Sequence, residues 1–367
     1  MSLLLLLLGC GAGAPGGKVA DDSGPVEVVD SGGVEAPTLV LLSLNLHCFR
    51  LDGADYADHD SRFAAIAALV VAEEVGAIAL QEACENEAEG VAIARLAAAI
   101  EAAGGASWSS AWVETHPAWE GTPDAAIEGV GLLLRSEGPV EAEAFTYAVQ
   151  GSQLRRSLTA ALPAPFEGLR LTTVHLEHDE AAAREGQARQ EALRALLPGV
   201  EGSLVAGDWN ARPAELAALE TAGLRRMSAA ADPSGVEIDH VYAPADAPLR
   251  VLGARMVFEG GDSPAVSDHP GLLLRLEEAP VSPLGRTHLL AEVDVGFGRF
   301  VSVRGEGGPF DWEQGWPAVP TGSARWEAAV LAEGALRYKW LRDDVDWQAG
   351  EDLSCEVGAT CTAAPVF

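Results

Sequence analysis

A carboxylate and an amide lie two residues apart in the segment Gly207-Asp208-Trp209-Asn210, directly after the apolar run 203–206. Such a run is typical of a buried strand. Because side chains alternate along a strand, we expect Asp208 and Asn210 to point the same way. Together at the rim of a sheet, they would place an acceptor and a donor where a water molecule and a phosphoryl oxygen can both be held.

Four other strand-like runs also end in polar residues. Their last side chains are amides, carboxylates or imidazoles: Asn45, Gln81-Glu82, His175 and Asp268-His269. One polar strand end is ordinary loop chemistry, whereas five ends of this composition predict a metal-assisted hydrolytic site.

Helices and strands alternate along the first part of the chain, and short strands dominate later. Apolar periodicity predicts helices near 61–75, 87–103 and 180–197, with strands among them between residues 38 and 276. This order predicts an α/β fold in which two mixed sheets form a sandwich flanked by helices.

Seven polar motifs follow one another along this region: Asn45, Gln81-Glu82, Arg156, His175, Gly207-Asp208-Trp209-Asn210, Ile238-Asp239 and Ser267-Asp268-His269. Over residues 38–277, their order and spacing resemble the endonuclease/exonuclease/phosphatase family, which includes deoxyribonucleases, abasic-site endonucleases, neutral sphingomyelinases and inositol polyphosphate 5-phosphatases. The resemblance implies a four-layer α/β sandwich that cleaves phosphoesters with the help of Mg²⁺ or Mn²⁺.

The resemblance assigns the metal and the attacking water to four residues. It implies that Glu82 is the principal metal ligand and that Asn45 helps to position the metal or the phosphate. A hard cation prefers carboxylate oxygen and keeps several waters, which agrees with one glutamate and few other fixed ligands. Asp208 would orient or deprotonate the attacking water, and Asn210 would bond a phosphate oxygen.

The same resemblance implies that two histidines handle charge and protons. His269, paired with Asp268, would serve as general base or phosphate clamp, because a neighbouring carboxylate fixes the tautomer of an imidazole and raises its pKa. His175 would stabilise the phosphorane-like charge or protonate the leaving group. Asp239 would support that histidine or a second metal position.

An arginine near the scissile phosphate is also implied. Arg156 matches its place in the motif order, and the neighbouring Arg155 is the alternative. Electrostatic stabilisation is usually the largest contribution to catalysis of this kind, so the metal, the histidines and this arginine would supply the positive charge.

The first ten residues predict export. Six leucines at 3–8 precede Gly9 and Cys10, which resembles the end of a bacterial lipoprotein signal with Cys10 as the lipidated residue. No Lys or Arg precedes the leucines, so a plain secretory signal is the alternative. Residues 11–37 are typical of a flexible tether. We expect a lipid anchor to the bacterial cell envelope, on the outer membrane or cell surface, or else a secreted protein.

Four cysteines remain once the N-terminal one is set aside, and an exported protein can hold disulfides. Cys355 and Cys361 are close enough in sequence to close a small loop. Cys48 and Cys84 each follow a predicted strand end within three residues, so a bridge between them would brace two site loops if those ends are neighbours. Four cysteines allow three pairings, and free buried thiols are the alternative.

Residues 286–367 follow a predicted linker at 278–285 and differ from the preceding region in composition and in hydrophobic pattern. They hold five of the nine tryptophans and short alternating segments, which is typical of a small all-β module. The segments around Trp312, Lys339 and Trp347 resemble starch-binding domains of carbohydrate-binding family 20. The resemblance implies that these three residues bind an α-glucan or another glycan; tryptophans packed in the core of a β-sandwich are the alternative.

The net charge of the chain limits the classes of substrate that it can bind. A net charge of −31 argues against a protein that neutralises the phosphates of long nucleic acid. We predict an exported, monomeric, metal-dependent phosphodiesterase or nuclease that acts on nucleic acid or a small phosphodiester. The alternatives are a lipid or small-molecule phosphoesterase, such as a sphingomyelinase or sugar phosphatase, and a glycan-binding surface lipoprotein without activity.

Overall fold

The computed structural model describes residues 36–104, 106–200, 203–281 and 284–367. The predicted lipoprotein signal with Cys10, and residues 11–35 of the predicted tether, lie outside the described residues. Up to residue 281, the described chain forms these elements in order: β1 (Thr38–Asn45), α1 (His59–Ala72), β2 (Ala77–Gln81), β3 (Glu85–Asn86), β4 (Gly90–Val91), α2 (Ala92–Ala102), β5 (Trp108–Ala118), β6 (Ala126–Arg135), β7 (Ala142–Thr146), β8 (Arg156–Ala161), β9 (Arg170–His175), α3 (Ala181–Ala195), β10 (Ser203–Asp208), α4 (Ala217–Ala222), β11 (Leu224–Arg226), β12 (Asp239–Pro244), β13 (Leu249–Val257) and β14 (Gly271–Glu278).

The remaining elements are all strands. They are β15 (Arg286–Glu292), β16 (Val301–Glu306), β17 (Trp316–Pro317), β18 (Val319–Gly322), β19 (Arg325–Leu331), β20 (Leu336–Arg342), β21 (Asp346–Trp347), β22 (Leu353–Cys355) and β23 (Thr360–Ala363). The prediction of an all-β C-terminal module is therefore confirmed, and the predicted linker covers the connection from β14 to β15.

The three predicted helices lie where their periodicity places them, and α1 illustrates why. The side chain of Asp58 accepts a hydrogen bond from the backbone N–H of Ser61 at 2.7 Å, which caps the first turn. Phe63, Ile66 and Val70 are then buried on one face. The short helix α4 and the edge strand β7 have too little periodicity to be predicted from the sequence.

Two sheets bring the polar strand ends together. The first has the order β13-β14-β1-β2-β6-β3-β4, with β5 also paired to β6, and the second has the order β11-β12-β10-β9-β8-β7. β1 and β2 are parallel and place Asn45 beside Gln81. β9 and β10 are parallel and place His175 beside Asp208, which also pairs with Asp239 of antiparallel β12.

The two sheets pack face to face because each presents a row of apolar side chains. Leu39 and Leu41 of β1 share a core with Leu204 and Ala206 of β10. The alternate residues of β1, such as Leu42, belong to a second core beneath α1 and α2. With α3 and α4 outside the second sheet, the four-layer α/β sandwich implied by the resemblance is confirmed.

The C-terminal strands form two further sheets, β18-β19-β15-β23 and β17-β16-β20-β21, with β22 paired to β20. Their core is continuous with that of the sandwich. Trp316 and Trp340 are fully buried and belong to the same cluster as Leu193 of α3 and Val205 of β10. Residues 36–367 accordingly form one compact unit.

Polar residues of α3 also bind the C-terminal module. Arg189 donates to Gln314 Oε1 at 2.9 Å, and Gln190 donates to the carbonyl of Ala318 at 2.6 Å. Both side chains are buried, so they bind protein where a helix on the surface would bind water. Among the described residues, no helix has the length and apolarity that a membrane span requires.

We predict that the sandwich and the C-terminal module unfold together. Trp316→Ala removes a fully buried side chain that contacts Arg189 of α3 and should lower the free energy of unfolding by about 3–5 kcal/mol. Thermal unfolding followed by circular dichroism should then show one transition at a lower temperature. Trp347→Ala, at an exposed position, is the control and should change the midpoint little. Two separate transitions, with only one of them shifted by Trp316→Ala, would contradict this.

Candidate active site

The side chain of Asn45 connects the two sheets. Its Nδ2 donates to Glu82 Oε1 at 2.9 Å and to Asp208 Oδ2 at 3.3 Å. Glu82 follows β2 of the first sheet, and Asp208 ends β10 of the second. The structure therefore links Glu82, through Asn45, to Asp208, the residue predicted to orient water.

The surroundings of the segment 207–210 explain why residues of these types occur there. Gly207 has φ of 148°, and a Cβ atom there would lie 2.1 Å from the carbonyl oxygen of Val174, so only glycine fits. The side chain of Asp208 points into the site, and Trp209 is fully buried against Tyr242, with 5.1 Å between ring centroids.

Two site residues have backbones in the left-handed region, which non-glycine residues rarely adopt. Glu82 has φ of 45° and Asn210 has φ of 50°. Asn210 makes two hydrogen bonds within the protein. Its backbone N–H donates to Asp208 Oδ1 at 2.8 Å, and its side-chain Nδ2 donates to the carbonyl of Leu176 at 2.9 Å. Strain of this kind concentrates at functional sites, and here it turns the carboxylate of Glu82 towards Asn45.

His175 belongs to a buried pair with a carboxylate. Its Nδ1 lies 2.9 Å from Glu128 Oε1, and its Nε2 lies 3.7 Å from Asp208 Oδ2. Glu128 lies in β6 and is buried, and it is absent from the site residues predicted from the sequence. The available signal was a single acid within an otherwise apolar strand, Ala126–Arg135.

His269 forms a second such pair, and its partner differs from the predicted one. Its Nδ1 lies 2.7 Å from Asp239 Oδ2, and its Nε2 lies 3.9 Å from Asp208 Oδ2. Asp239 thus supports His269 and not His175, while its predicted part in a second metal position stays a prediction. Asp268, the predicted partner, is half-exposed and faces His47, whose Nδ1 lies 3.3 Å from its Oδ1. Residues 266–269 form a bend, and within it the side chains of Asp268 and His269 turn to different partners.

The arginine at the site is Arg155. It is buried, and its Nη1 donates to Glu128 Oε1 at 2.9 Å and lies 3.0 Å from His175 Nδ1. Arg156 instead donates to the main-chain carbonyl of Glu114 at 3.1 Å. Arg156 is the first residue of β8 and Arg155 directly precedes it. Successive side chains of an extended chain point to opposite sides, and we therefore replace Arg156 with Arg155 as the candidate.

The electrostatics of the cluster follow from burial and close charges. Burial alone would raise the pKa of Glu82, but contact with His47, the charge of His175 and the hydrogen bond from Asn45 lower it to about 2. Glu82 is therefore ionised at neutral pH, as a metal ligand must be.

The pair of His269 and Asp239 is shifted as well. Burial would lower the pKa of His269, but the hydrogen bond and charge of Asp239, with the charges of Asp208 and Asp268, raise it to about 10. Burial and the charge of Asp208 raise the pKa of Asp239 to about 6 against the hydrogen bond from His269. At neutral pH the pair is consequently an imidazolium and a carboxylate.

The donor set fits a divalent metal. Carboxylates of Glu82, Asp208 and Asp239 surround Asn45 and His269, and ligand atoms of Asp208, Asp239 and His269 all lie within 4.8 Å of one another. Oxygen-rich sets of this kind suit hard cations.

A second acidic group lies on the loop after β9 and comprises Glu177, His178 and Asp179. The carboxylate of Glu177 already accepts hydrogen bonds from Ser152 and from backbone N–H groups. His178 and Asp179 are exposed. We therefore assign no metal to this group.

The structure joins Cys48 to Cys84 and Cys355 to Cys361, with Cα–Cα distances of 4.8 and 5.9 Å. Both pairings agree with the predicted ones. The first bridge spans the loops that follow β1 and β2, which carry two of the site residues.

The predicted glycan residues lie on the C-terminal module. The rings of Trp312 and Trp347 are stacked, with centroids 6.2 Å apart and planes at 29°. Lys339 Nζ donates to the carbonyl of Gly350 at 2.8 Å. Trp347 is 42% exposed, so it does not belong to the core as the alternative supposed.

Comparison with known proteins supports the assignment of the fold. The family model described as "Endonuclease/Exonuclease/phosphatase family" matches residues 42–269. A solved structure of a family protein from Beutenbergia cavernae DSM 12333 is 18% identical, with a TM-score of 0.51, and the match covers 86% of this chain and 99% of that one. One from Leptotrichia buccalis C-1013-b is 15% identical, with a TM-score of 0.50, and the match covers 65% and 99%. None of the curated proteins that were compared matches the chain.

The family match spans more than half of the 367 residues, and it includes every element that carries the site. Such a domain supports hydrolysis of phosphoric esters as the class of reaction. The chain belongs to the endonuclease/exonuclease/phosphatase family.

Proposed function

We propose that this protein is a divalent-metal-dependent phosphodiesterase, using Mg²⁺ or Mn²⁺, that acts on nucleic acid or a small phosphodiester. The observation that carries the proposal is the contact of Asn45 with both Glu82 and Asp208, at 2.9 and 3.3 Å. It places an acid suited to hold the metal beside an acid suited to orient water. Glu82 and Asn45 would hold the metal, which when bound neutralises charge on the phosphoryl oxygens.

The chain's own residues would perform the proton and charge chemistry. Asp208 would accept a hydrogen bond from the attacking water and orient it. His175 and His269 approach Asp208 from two sides, with Nε2 atoms 3.7 and 3.9 Å from its Oδ2. Their carboxylate partners fix the ring orientation, so both Nε2 atoms face the space where phosphoryl oxygens and the leaving oxygen would lie.

Arg155 would add a fixed positive charge behind His175, through Glu128. A preorganised charge in a buried site stabilises developing negative charge more than it would in water. The chain as a whole carries a net charge of −31, so we favour transient contact with short or small substrates over stable binding of long nucleic acid.

Export and a lipid anchor at Cys10 remain part of this proposal, supported by the pattern of residues 1–10. An exported phosphodiesterase would act on substrates outside the cytoplasm, and the two disulfides agree with that compartment.

Glycan binding by the C-terminal module is a second proposed function. It is supported by the stacked and partly exposed rings of Trp312 and Trp347, because flat indole faces suit the apolar faces of sugar rings. Lys339 lies in the adjacent strand and would bond a hydroxyl group of the glycan.

Metal removal and site variants test the phosphodiesterase. Hydrolysis of bis-p-nitrophenyl phosphate should stop with EDTA and return with Mg²⁺ or Mn²⁺. Asp208→Asn should lower kcat by about 10²–10⁴-fold, the range for lost general acid–base or electrostatic help. Glu85→Gln, an exposed carboxylate near Glu82, is the matched control and should retain activity. Hydrolysis that survives both EDTA and Asp208→Asn would refute the mechanism.

The adjacent arginines offer a direct comparison. Arg155→Ala should lower kcat by about 10²-fold or more, because it removes a buried charge beside His175. Arg156→Ala should leave kcat within a few-fold of the parent. Circular dichroism should confirm that both variants are folded; the reverse order of effects would show that our choice of arginine is wrong.

Binding to amylose tests the glycan proposal. The parent protein should be retarded in amylose-containing affinity gels, and Trp312→Ala with Trp347→Ala should abolish the retardation because both stacking faces are lost. Trp108→Ala, in β5 of the sandwich, should behave as the parent. Retardation that persists in the double variant would rule out these tryptophans as the site.

A further inference from the structure

A covalent bond ties together the two loops that carry the proposed metal ligands. Cys48 lies three residues beyond Asn45, and Cys84 lies two beyond Glu82. The two cysteines are joined, with Cα atoms 4.8 Å apart, which is within the range that a disulfide requires. Both are buried, at 1% and 0% exposure.

Hydrogen bonds hold the same two loops in register. The N–H of Leu46 donates to the carbonyl of Gln81 at 2.8 Å, and the N–H of Cys48 donates to the carbonyl of Glu82 at 3.1 Å. Both Cys48 and Glu82 have left-handed backbones, with φ of 48° and 45°. These conformations persist only where the surroundings fix them.

A buried arginine also binds the first of these loops, the one that follows β1. Arg62 of α1 is fully buried and donates to the carbonyls of Leu46, Cys48 and Arg50 at 3.0, 2.9 and 2.9 Å. The first loop is therefore fixed to the body of the sandwich. The loop of Glu82 is held by the first loop and also by β6 and α2, because the N–H of Ala83 donates to the carbonyl of Gly129 and the N–H of Ala92 donates to the carbonyl of Cys84, both at 2.9 Å.

We infer that the metal site assembles only when the bridge between Cys48 and Cys84 has formed, so that oxidation switches the enzyme on. The inference rests on the proposed function, since it concerns the same ligands. Closing the bridge removes two protons and two electrons from the thiols. A disulfide of the oxidising compartment accepts them and is itself reduced to two thiols, so the exchange balances.

The physical reason is the space that two thiols need. Bonded sulfurs lie about 2.05 Å apart, whereas unbonded heavy atoms in contact lie about 4 Å apart. At a fully buried position, this difference of about 2 Å must be taken up by movement of the loops. Catalytic and metal sites tolerate displacements of only about 0.5 Å, so the thiol form should lose the contact between Asn45 and Glu82.

This arrangement would keep a phosphodiesterase inactive before export. Thiols persist in a reducing cytosol, and disulfides form outside it. Because both sulfurs are buried, the bridge should resist reductants in the native protein. Whether the bridge forms is therefore decided by the redox conditions during folding. The distant pair Cys355–Cys361 closes a loop of the C-terminal module and provides an internal control.

The test measures Mn²⁺ binding by the electron paramagnetic resonance signal of free Mn²⁺, which needs no substrate. Full-length protein carrying Cys10→Ala, which leaves no further thiol to exchange, is unfolded and refolded with a glutathione disulfide buffer or with a thiol reductant. We expect the reduced protein to bind Mn²⁺ at least tenfold more weakly than the oxidised protein. Equal affinities in two samples with native circular dichroism would overturn the inference.

Variants separate the bridge from general effects of reduction. Cys355→Ala with Cys361→Ala, refolded under oxidising conditions, should bind Mn²⁺ as the parent does. If the reduced protein does not refold, Cys48→Ser with Cys84→Ser decides the matter, because it keeps two unbonded groups at the positions of the sulfurs: weakened binding in a folded variant supports the inference, and parental affinity overturns it. Oxidised protein that neither binds Mn²⁺ nor cleaves bis-p-nitrophenyl phosphate would instead refute the proposed function.

Discussion

The hydrogen bonds of one amide group hold this site together. Asn45 donates to carboxylates from both sheets, so the separation of Glu82 and Asp208 depends on how the sheets pack. One layer deeper, Gln81 Nε2 donates to Thr173 Oγ1 at 2.9 Å, and that hydroxyl donates to the carbonyl of Leu80 at 3.1 Å. These buried polar contacts between apolar layers fix the position of one sheet on the other, since an unpaired polar group there would cost about 1–3 kcal/mol.

The same convergence creates an electrostatic demand. Three carboxylates lie together with little access to water, and uncompensated buried charges are costly. The imidazoles of His175 and His269 and the guanidinium of Arg155 supply positive charge next to these carboxylates. A bound divalent cation would supply more. This explains why a chain with a net charge of −31 places Arg155, His175 and His269 at this site. It also explains why His175 and His269 each have a carboxylate at Nδ1. That carboxylate holds the ring while Nε2 faces Asp208.

The sequence was sufficient for the fold and for the strand ends, because both follow from apolar periodicity and from motif order. It was insufficient for partners that depend on side-chain direction. Arg155 and Arg156 have the same chemistry and differ only in the direction in which their side chains point, and no local pattern separated them. Glu128 was missed because its partner, His175, is distant in sequence. Asp268 was paired with His269 by adjacency, whereas Asp239, brought in by the pairing of β10 and β12, is the actual neighbour.

The C-terminal module shows a related limit. Its composition predicted an all-β unit after a linker, but the burial of α3 on nearly every side emerges only when both parts are folded. The metal site proposed on the sandwich can be located by anomalous diffraction from a crystal soaked in Mn²⁺. We predict a single strong peak bonded to Glu82, within reach of Asn45 and Asp208. A peak at Glu177, His178 and Asp179 instead, or none at Glu82, would contradict the account.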